Sequence, residues 1–597
     1  MTDLASDVVG DAGAVAAAGP TAATGPRSRP WYSRRWVLAG AEAVVSVAAA
    51  LGFAYLCRHI SVNPLNRIGQ VSGLAKIQQY AAILGLPVLA VLVYTAYRGR
   101  LARHQVVQRL ACAAVAGLST GVVAGGVVVA LRGTPWPLGG QEGDPSVLVD
   151  MATYMMHGKG LPGVYPPGFP AVMAAWSEIR YGGVGGAGYA LHDLQIVFSA
   201  LVGPMSYLAW RLVLRPFWAA LIAVPAAVVF LDPIRPYSHV VMIMLVPLLA
   251  ACLRELRRAG DLPLRSAALR GLAFGVTFGL LFLWYSGWYL WSAPGIGVLA
   301  LFVFPWRRGR RAVRQAAVFV GVTLLSAGLV GAPLLYQLVE LGADSPDRYA
   351  YITTYVDPTY VLGWMSDRDG SLTFQTWPVS GELAGQTGFA LLLLAGVGLG
   401  IGLGLKHIAV RTAAAALVSA WLLRFWFASH MAHDQAIQLY PRTTWIIMYS
   451  LMILAVLGLM SLVHRTTRFG DRTLASLPAT GGATRLVPRR AMRQLAAGMV
   501  CALALFATMG ASWSVNRYMP ADQSTDTMGL DAWRAHTIKK PDGSCPKFSP
   551  VAKCADIITK DWAPKPDTGQ LWCAGIQPEE WKAVCGRTAP WLDDAKK

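Results

Sequence analysis

Long apolar runs separated by short polar stretches dominate this chain of 597 residues. A run of about 20 apolar residues can cross the roughly 30 Å hydrocarbon core of a bilayer as a helix, because a helix satisfies its backbone hydrogen bonds internally. The sequence therefore predicts a polytopic α-helical membrane protein with about thirteen spans. These lie at residues 36–57, 80–97, 110–131, 191–210, 217–231, 239–253, 267–284, 287–305, 315–338, 387–405, 410–428, 443–463 and 494–513.

The positions of Lys and Arg predict how these spans are oriented. The basic residues concentrate in the even-numbered connections, as in "YRGRLARHQVVQR" and "PWRRGRRAVR", whereas the odd-numbered connections hold far fewer. Cytoplasmic loops carry this excess, so the N-terminus is predicted to be cytoplasmic and the C-terminus extracytoplasmic, in a plasma membrane protein. The formal net charge is +20, but the basic residues lie in short clusters between apolar runs. This placement indicates orientation signals rather than nucleic-acid binding.

This topology divides the chain into three regions. Residues 1–35 lack the pattern of a cleaved signal peptide and are predicted to be a disordered cytoplasmic tail. Residues 36–513 form the membrane domain, whose long outer loops are residues 132–190 and 339–386. Residues 514–597 form a small extracytoplasmic domain.

Four cysteines fall in that last domain and indicate disulfides, because an even number in a small exported segment is typical of them. Three pairings are possible, and the local one is preferred. It joins Cys545 to Cys554 and Cys573 to Cys585. A four-cysteine zinc site is the alternative, but the spacing is wider than such sites use.

The first outer loop supplies the candidate catalytic acids, Glu142, Asp144 and Asp150. A carboxylate at a partly dry membrane surface tends towards a raised pKa, which suits a general base. For Asp144 the alternative is a helix cap, since it precedes Pro145 in a good helix-start arrangement. The nearby segment "VYPPGFP" is aromatic and rich in proline, and its Tyr165 is predicted to line a substrate groove.

A second polar loop, "ASHMAHDQAIQLYPRTT" at residues 428–444, is predicted to bind a phosphate. Arg442 precedes a helix N-terminus, where free N–H groups favour an anion. His433 is a second candidate ligand of that phosphate, and Gln435 and Tyr440 are assigned to the substrate groove. Two alternatives stay open: Arg442 pairs with Asp434 or snorkels, and "HMAH" holds a metal, although its spacing is unfavourable.

Two further segments carry polar or aromatic groups on the predicted outer face. In "LDPIRPYSH", residues 231–239, Arg235 and His239 are candidates for the same phosphate, although Asp232 and Arg235 could instead pair with each other. The segment "WYSGWYLWS", residues 284–292, is typical of an interfacial aromatic belt, and sugar-binding sites use such rings too.

Carboxylates, cations and aromatic rings on an outer face, without a nucleotide-binding motif, fit one reaction class. This is transfer of a sugar from a polyprenyl-phosphate donor, which arrives activated and needs one base for the acceptor and cations for the departing phosphate. A hydrolase would place two carboxylates around the scissile bond. No cofactor and no metal are expected. The main rival is a transporter or flippase of polyprenyl-linked sugars, which typically shows internal repeats and midplane charges.

Several stretches resemble one known family, the actinobacterial galactan arabinofuranosyltransferases of the cell wall (AftA-type). They are "GTPWPLGGQEGDPSVLVDMATYMM", "VYPPGFP", "LYPRTTWIIMYSLMILAVLG", "VNRYMP" and "TMGLDAWRAHT". Members are membrane glycosyltransferases of the GT-C superfamily with an exported C-terminal domain.

The resemblance implies a GT-C-type helical bundle and an activity in arabinogalactan synthesis. The donor would be decaprenyl-phospho-arabinofuranose and the acceptor the galactan chain, with inversion at the sugar carbon. The family's base is an acid in the first outer loop, and Gly143-Asp144 is the matching position here. Asp150 is the second choice.

Overall fold

The protein was analysed as a computed structural model. It describes residues 35–98, 102–140, 143–161, 163–341, 391–434, 442–475, 498–499, 502, 511, 515–522 and 527–555. The chain divides into two units, Met1–Ala41 and Glu42–Lys597. The first helix begins in the first unit, and the helices that follow it belong to the second.

The described part of the chain is built from helices. They are α1 (Arg35–Cys57), α2 (Arg67–Arg98), α3 (Ala102–Ala130), α4 (Gly143–Met156), α5 (Gly168–Tyr181), α6 (Ala187–Arg211), α7 (Pro216–Phe230), α8 (Pro236–Ala259), α9 (Leu264–Trp284), α10 (Gly287–Val303), α11 (Arg310–Leu341), α12 (Leu391–Gly404), α13 (Ile408–Asp434), α14 (Thr443–Ala475) and α15 (Thr527–Ala535).

Helices occupy twelve of the thirteen predicted spans, and the last, 494–513, lies almost wholly outside the described residues. Eight helices are long and apolar enough to cross a membrane: α1, α2, α3, α8, α9, α11, α13 and α14. Helices α7, α10 and α12 are apolar but shorter. The chain is thus a helical protein with membrane-spanning character.

The largest difference from the predicted spans is at α2, which begins at Arg67 rather than at residue 80. Its first turns carry polar side chains, so a hydropathy pattern does not detect them. The Oδ1 atom of Asn66 accepts a hydrogen bond from the Gly69 backbone N–H at 2.6 Å, which satisfies one of the free donors at this helix start.

Helix α7 lies at the centre of the bundle. It is apolar on every side and almost entirely buried, as expected for a helix without a polar face. It packs against α3, α6, α8 and α14. This arrangement places the turn between α7 and α8, residues 231–235, within the protein and not at its periphery.

Glycines allow several helices to approach each other closely. In α9, Gly271, Gly275 and Gly279 recur at every fourth position and face α11, where a Cβ on Gly275 would stand 2.4 Å from the Thr323 carbonyl oxygen. On α10, a Cβ on Gly295 would lie 2.2 Å from the Ala415 carbonyl oxygen of α13. Small residues at such contacts are the usual means of helix association in membranes.

Two glycines of α10 give a matched test of this packing. Gly295→Ala is expected to lower stability by about 1–3 kcal/mol, because the Ala415 carbonyl belongs to the backbone and the two helices must move apart. Gly297→Ala, two residues along, is expected to be neutral or stabilising, because nothing lies within 4 Å and Ala favours the helix. Thermal unfolding in detergent measures both, and equal melting temperatures would contradict the prediction.

The described part of the C-terminal region packs on the first predicted outer loop. Thr134 donates its hydroxyl proton to the Ala535 carbonyl at 2.6 Å, and the Trp136 indole N–H donates to the Lys539 carbonyl at 3.0 Å. The predicted disulfide Cys545–Cys554 is present. The pairing predicted for Cys573 and Cys585 lies outside the described residues.

Two buried glutamates form ion pairs with arginines, far from this loop. Glu42 pairs with Arg109 at 2.8 Å and with Arg211 at 3.2 Å. Glu255, near the end of α8, pairs with Arg254 at 3.4 Å and also with Arg270. Because α8 has 24 residues, its two ends are separated by about 36 Å. The basic end of α8 is therefore far from its first turn.

Candidate functional site

Five segments converge near the first turn of α8 and form what we call the Asp144 cluster. They are the start of α4, the loop before α5, the turn between α7 and α8, the junction of α9 and α10, and the residue before α14. The cluster comprises Asp144, Tyr165, Asp232, Arg235, Tyr237, His239, Tyr285 and Arg442.

Arg235 lies between two carboxylates at the centre of the cluster. Its Nη1 atom donates to Asp144 Oδ2 at 3.1 Å, and its Nε atom donates to Asp232 Oδ2 at 3.0 Å. The side chains of Asp144 and Arg235 are 30% and 34% exposed, whereas that of Asp232 is 8% exposed. Asp144 is therefore partly accessible to solvent, whereas Asp232 is buried and has a structural role.

The turn that carries Arg235 is ordered by Asp232. Its Oδ1 atom accepts the backbone N–H of Ile234 at 3.0 Å, in an Asx-type turn. Burial alone would raise the pKa of Asp232, but the Arg235 guanidinium, His239 and the hydrogen bonds to the carboxylate together outweigh burial, and the pKa is lowered. Asp232 thus stays ionised, and Asp232 and Arg235 do pair, as one of the sequence alternatives held.

Two tyrosines stand beside this ion pair. The hydroxyl groups of Tyr165 and Tyr237 are hydrogen-bonded at 2.6 Å, and the Tyr237 ring stacks on Phe169 at 4.7 Å. Burial and the charge of Asp144 hold the pKa of Tyr165 well above its usual value. Both hydroxyls therefore remain protonated, and one proton of the pair is free to point at a third oxygen atom.

His239 is enclosed by aromatic rings in the first turns of α8. Its ring lies 5.7 Å from Trp288 and 5.1 Å from Trp445, centroid to centroid, and the residue is 7% exposed. Within the described part of the chain, its Nδ1 atom has no hydrogen-bond partner. Buried polar atoms rarely go unpaired, so this nitrogen retains the capacity for one more hydrogen bond.

Arg442 directly precedes the N-terminus of α14, as the sequence predicted. Its guanidinium lies over the Tyr285 ring, 5.7 Å from the centroid. The Tyr285 ring lies 6.0 Å from the Tyr237 ring, centroid to centroid, which places Arg442 close to the tyrosine pair. A Cβ on Gly287 would stand 3.2 Å from Arg442 Nη1, so the glycine makes room for the guanidinium.

Arg424 holds the start of α14 in place through hydrogen bonds. It is fully buried in α13, and its Nη1 atom donates to the hydroxyl oxygens of Thr443 and Thr444, each at 2.8 Å. An arginine inside an apolar helix is costly and usually functional. Its contacts fix the turn that presents Arg442.

Asp150 lies on the same helix as Asp144 but on another side. Six residues at 100° each place the two side chains about 120° apart around the axis. Burial raises the pKa of Asp150 to about 7. The two carboxylates thus differ. Asp144 lies beside the arginines and aromatic rings of the cluster, whereas Asp150 has the raised pKa that suits a general base.

The raised pKa of Asp150 predicts a pH-dependent stability. The folded protein binds this proton more tightly than the unfolded chain, whose Asp pKa is about 3.9, so the carboxyl lowers stability progressively from about pH 4 to about pH 7. Asp150→Asn removes this effect. We expect the melting temperature of the variant, relative to the native chain, to rise from about pH 5 to about pH 8. A difference that does not change with pH would contradict the assignment.

The other predicted site residues are not brought into this cluster by the described contacts. His433 is exposed near the end of α13. Glu142, Gln435 and Tyr440 lie outside the described residues, as does most of the predicted outer loop 339–386. Across the residues the structure describes, no group of three or more His, Cys, Asp and Glu side chains is arranged to hold a metal. His430 of "HMAH" stacks on Trp426 at 4.2 Å.

Sequence reasoning did not assign three residues that the structure places at the site. Tyr285 belongs to the segment 284–292, which is typical of an interfacial belt or a sugar-binding site, and the sequence gives Tyr237 no role of its own. Arg424 could have been found from the sequence, since it is a lone charge in the middle of an apolar run.

No model of a protein family and no curated protein matches the chain.

Proposed function

We propose that this protein is a membrane glycosyltransferase that uses a polyprenyl-phosphate sugar as its donor. The observation that carries the proposal is the convergence of two charged groups: the partly exposed carboxylate of Asp144, bonded to Arg235, and the guanidinium of Arg442, which lies over Tyr285 beside Tyr237. The reaction requires a base for the acceptor hydroxyl and a cation for the phosphate. Both groups come from ends of helices, where a lipid-linked substrate can reach them.

The chemistry is a single displacement at the anomeric carbon. The acceptor oxygen forms a bond to this carbon as the bond to the phosphate oxygen breaks, and the hydroxyl proton passes to Asp144. The polyprenyl phosphate departs as an anion, stabilised by the Arg442 guanidinium and by a hydrogen bond from His239, with a proton on its Nδ1 atom. Preorganised donors of this kind usually supply the largest catalytic contribution. Displacement from the opposite side inverts the configuration.

Arg235 has a different part in this mechanism from the one predicted. Since its Nε and Nη1 atoms are bonded to carboxylates, its role is to hold Asp144 in place and to balance its charge. Any contact with the donor phosphate would use its remaining N–H groups. Arg442 and His239 are therefore the first-choice phosphate ligands.

The resemblance to the AftA-type family supports a more specific substrate assignment. Decaprenyl-phospho-arabinofuranose would be the donor and cell-wall galactan the acceptor. The proposed location is the outer face of the plasma membrane, which agrees with the basic residues at the opposite end of α8.

A transporter of polyprenyl-linked sugars is the second candidate, and the buried Arg424 favours it. The test uses purified protein in liposomes with radiolabelled polyprenyl-phospho-arabinofuranose and a galactan oligosaccharide. Labelled oligosaccharide is the expected product, and Asp144→Asn is expected to form it far more slowly. Movement of the lipid-linked sugar between leaflets, without transfer to any acceptor, would establish the transporter and refute the transferase. Other polyprenyl-phosphate sugars, tested in parallel, define the donor.

A further inference from the structure

Gln195 of α6 makes an unusual set of hydrogen bonds with two loops. Its side chain is fully buried. The Oε1 atom accepts the backbone N–H of Leu138 at 2.9 Å, while Nε2 donates to the Leu138 carbonyl at 3.0 Å and to the Ile234 carbonyl at 3.4 Å. One planar amide thus satisfies both polar groups of one residue and reaches the backbone of a second, distant segment.

The two loops held by Gln195 carry the two partners of the central ion pair. Leu138 precedes Asp144 by six residues, and Ile234 is adjacent to Arg235. The Asp144 carboxylate and the Arg235 guanidinium meet at 3.1 Å across a separation of 91 residues. Gln195 therefore bridges the backbones on both sides of that contact.

We infer that Gln195 is a positioning residue that aligns Asp144 with Arg235, and hence with the acceptor hydroxyl. This inference rests on the proposed transferase function. The amide is required chemically, because only Asn and Gln combine an acceptor with two donors in one neutral group. A Glu in its place would bring a second acceptor against two carbonyl oxygens, and a Leu would leave three backbone groups unpaired.

The loop that contains Leu138 is also held from its other side. Thr134 and Trp136 are bonded to the carbonyl groups of Ala535 and Lys539, and the Trp136 ring packs on Tyr189 at 4.6 Å. Loss of the Gln195 amide is therefore expected to shift the loop rather than to unfold it. A shift of about 1 Å at a reacting group can cost about 100-fold in rate.

The first test separates alignment from general stability. Gln195→Leu and Gln195→Glu are compared with Gln315→Leu, which removes another buried glutamine in α11, away from the cluster. We expect kcat to fall about 10- to 100-fold in both Gln195 variants while KM for the donor changes less than about threefold, because Arg442 is on a separate element. Gln315→Leu is expected to retain kcat. A fall in kcat of equal size in Gln315→Leu, or no fall in the Gln195 variants, would refute the inference.

The second test does not depend on transferase activity. Asp144→Asn, Arg235→Gln and the double variant are made in the native chain and in a Gln195→Leu background, and their melting temperatures give the coupling between the two positions. We expect clear coupling in the native chain and at least a halving of it in the Gln195→Leu background. Coupling of the same size in both backgrounds would overturn the role of Gln195 even if the protein transfers sugars. A chain that transfers no sugar, yet shows this loss of coupling, would refute the function and keep the alignment.

Discussion

Asp144→Asn is expected to lower kcat for sugar transfer about 1,000-fold, with little change in KM for the donor. Asparagine keeps the shape of the side chain and can still contact Arg235, but it does not accept the proton of the acceptor hydroxyl. Loss of a positioned general base typically costs about 10²- to 10⁴-fold in rate. The measurement is the steady-state rate of transfer from the polyprenyl-phosphate donor by the purified variant in liposomes.

The control for Asp144→Asn is the same substitution at Asp261. This carboxylate is 67% exposed, pairs with Arg308 at 3.1 Å and lies beyond the far end of α8. Asp261→Asn is expected to keep the native rate. If Asp144→Asn retains its rate while Asp150→Asn loses it, the base is Asp150 and the assignment to Asp144 is wrong.

Arg442→Gln is expected to give the second large effect, on both donor binding and catalysis. The guanidinium would contact the donor phosphate before reaction and the leaving phosphate as its charge develops. Removing a preorganised donor of this kind costs about 10²- to 10³-fold in kcat, and a charge-assisted contact adds to binding, so KM for the donor also rises. Arg442→Lys is expected to recover only part of the activity, because the ammonium lacks the planar fork of the guanidinium.

Arg308→Gln serves as the matched control for Arg442→Gln, since Arg308 is 53% exposed and belongs to the opposite end of the bundle. It is expected to leave both kcat and KM unchanged. The two variants are also compared for inhibition by polyprenyl phosphate, the leaving group. Undiminished inhibition of Arg442→Gln by this product would contradict a phosphate site at Arg442.

The two acids of α4 show how local and distant effects combine. The sequence places Asp144 and Asp150 in one polar loop, and only the family resemblance ranks Asp144 before Asp150 as the base. In the structure, a position about 120° further around the helix gives Asp150 a drier environment, whereas Asp144 meets Arg235 from a segment 91 residues away. Their angular offset follows from the spacing, but tertiary packing decides what each face of the helix meets.

The sequence by itself determined where the helices form and which nearby cysteines form a disulfide. Apolar runs predicted helices at residues 217–231 and 239–253, found as Pro216–Phe230 and Pro236–Ala259, and prolines mark both helix starts. Cys545 and Cys554 are nine residues apart and are bonded as predicted. Hydropathy and short spacing are properties of a segment, so they can be read without knowing its neighbours.

Only the tertiary structure decided which polar groups meet at the helix ends. Arg235 pairs with Asp144 from a separate element. The hydrogen bond from Gln195 to Leu138 and the contact of Arg424 with Thr443 also join separate elements. These contacts depend on the rotation and depth of every helix in the bundle, which are set by close packing at positions such as Gly275 and Gly295. No single segment contains that information, because it arises from the fit between surfaces.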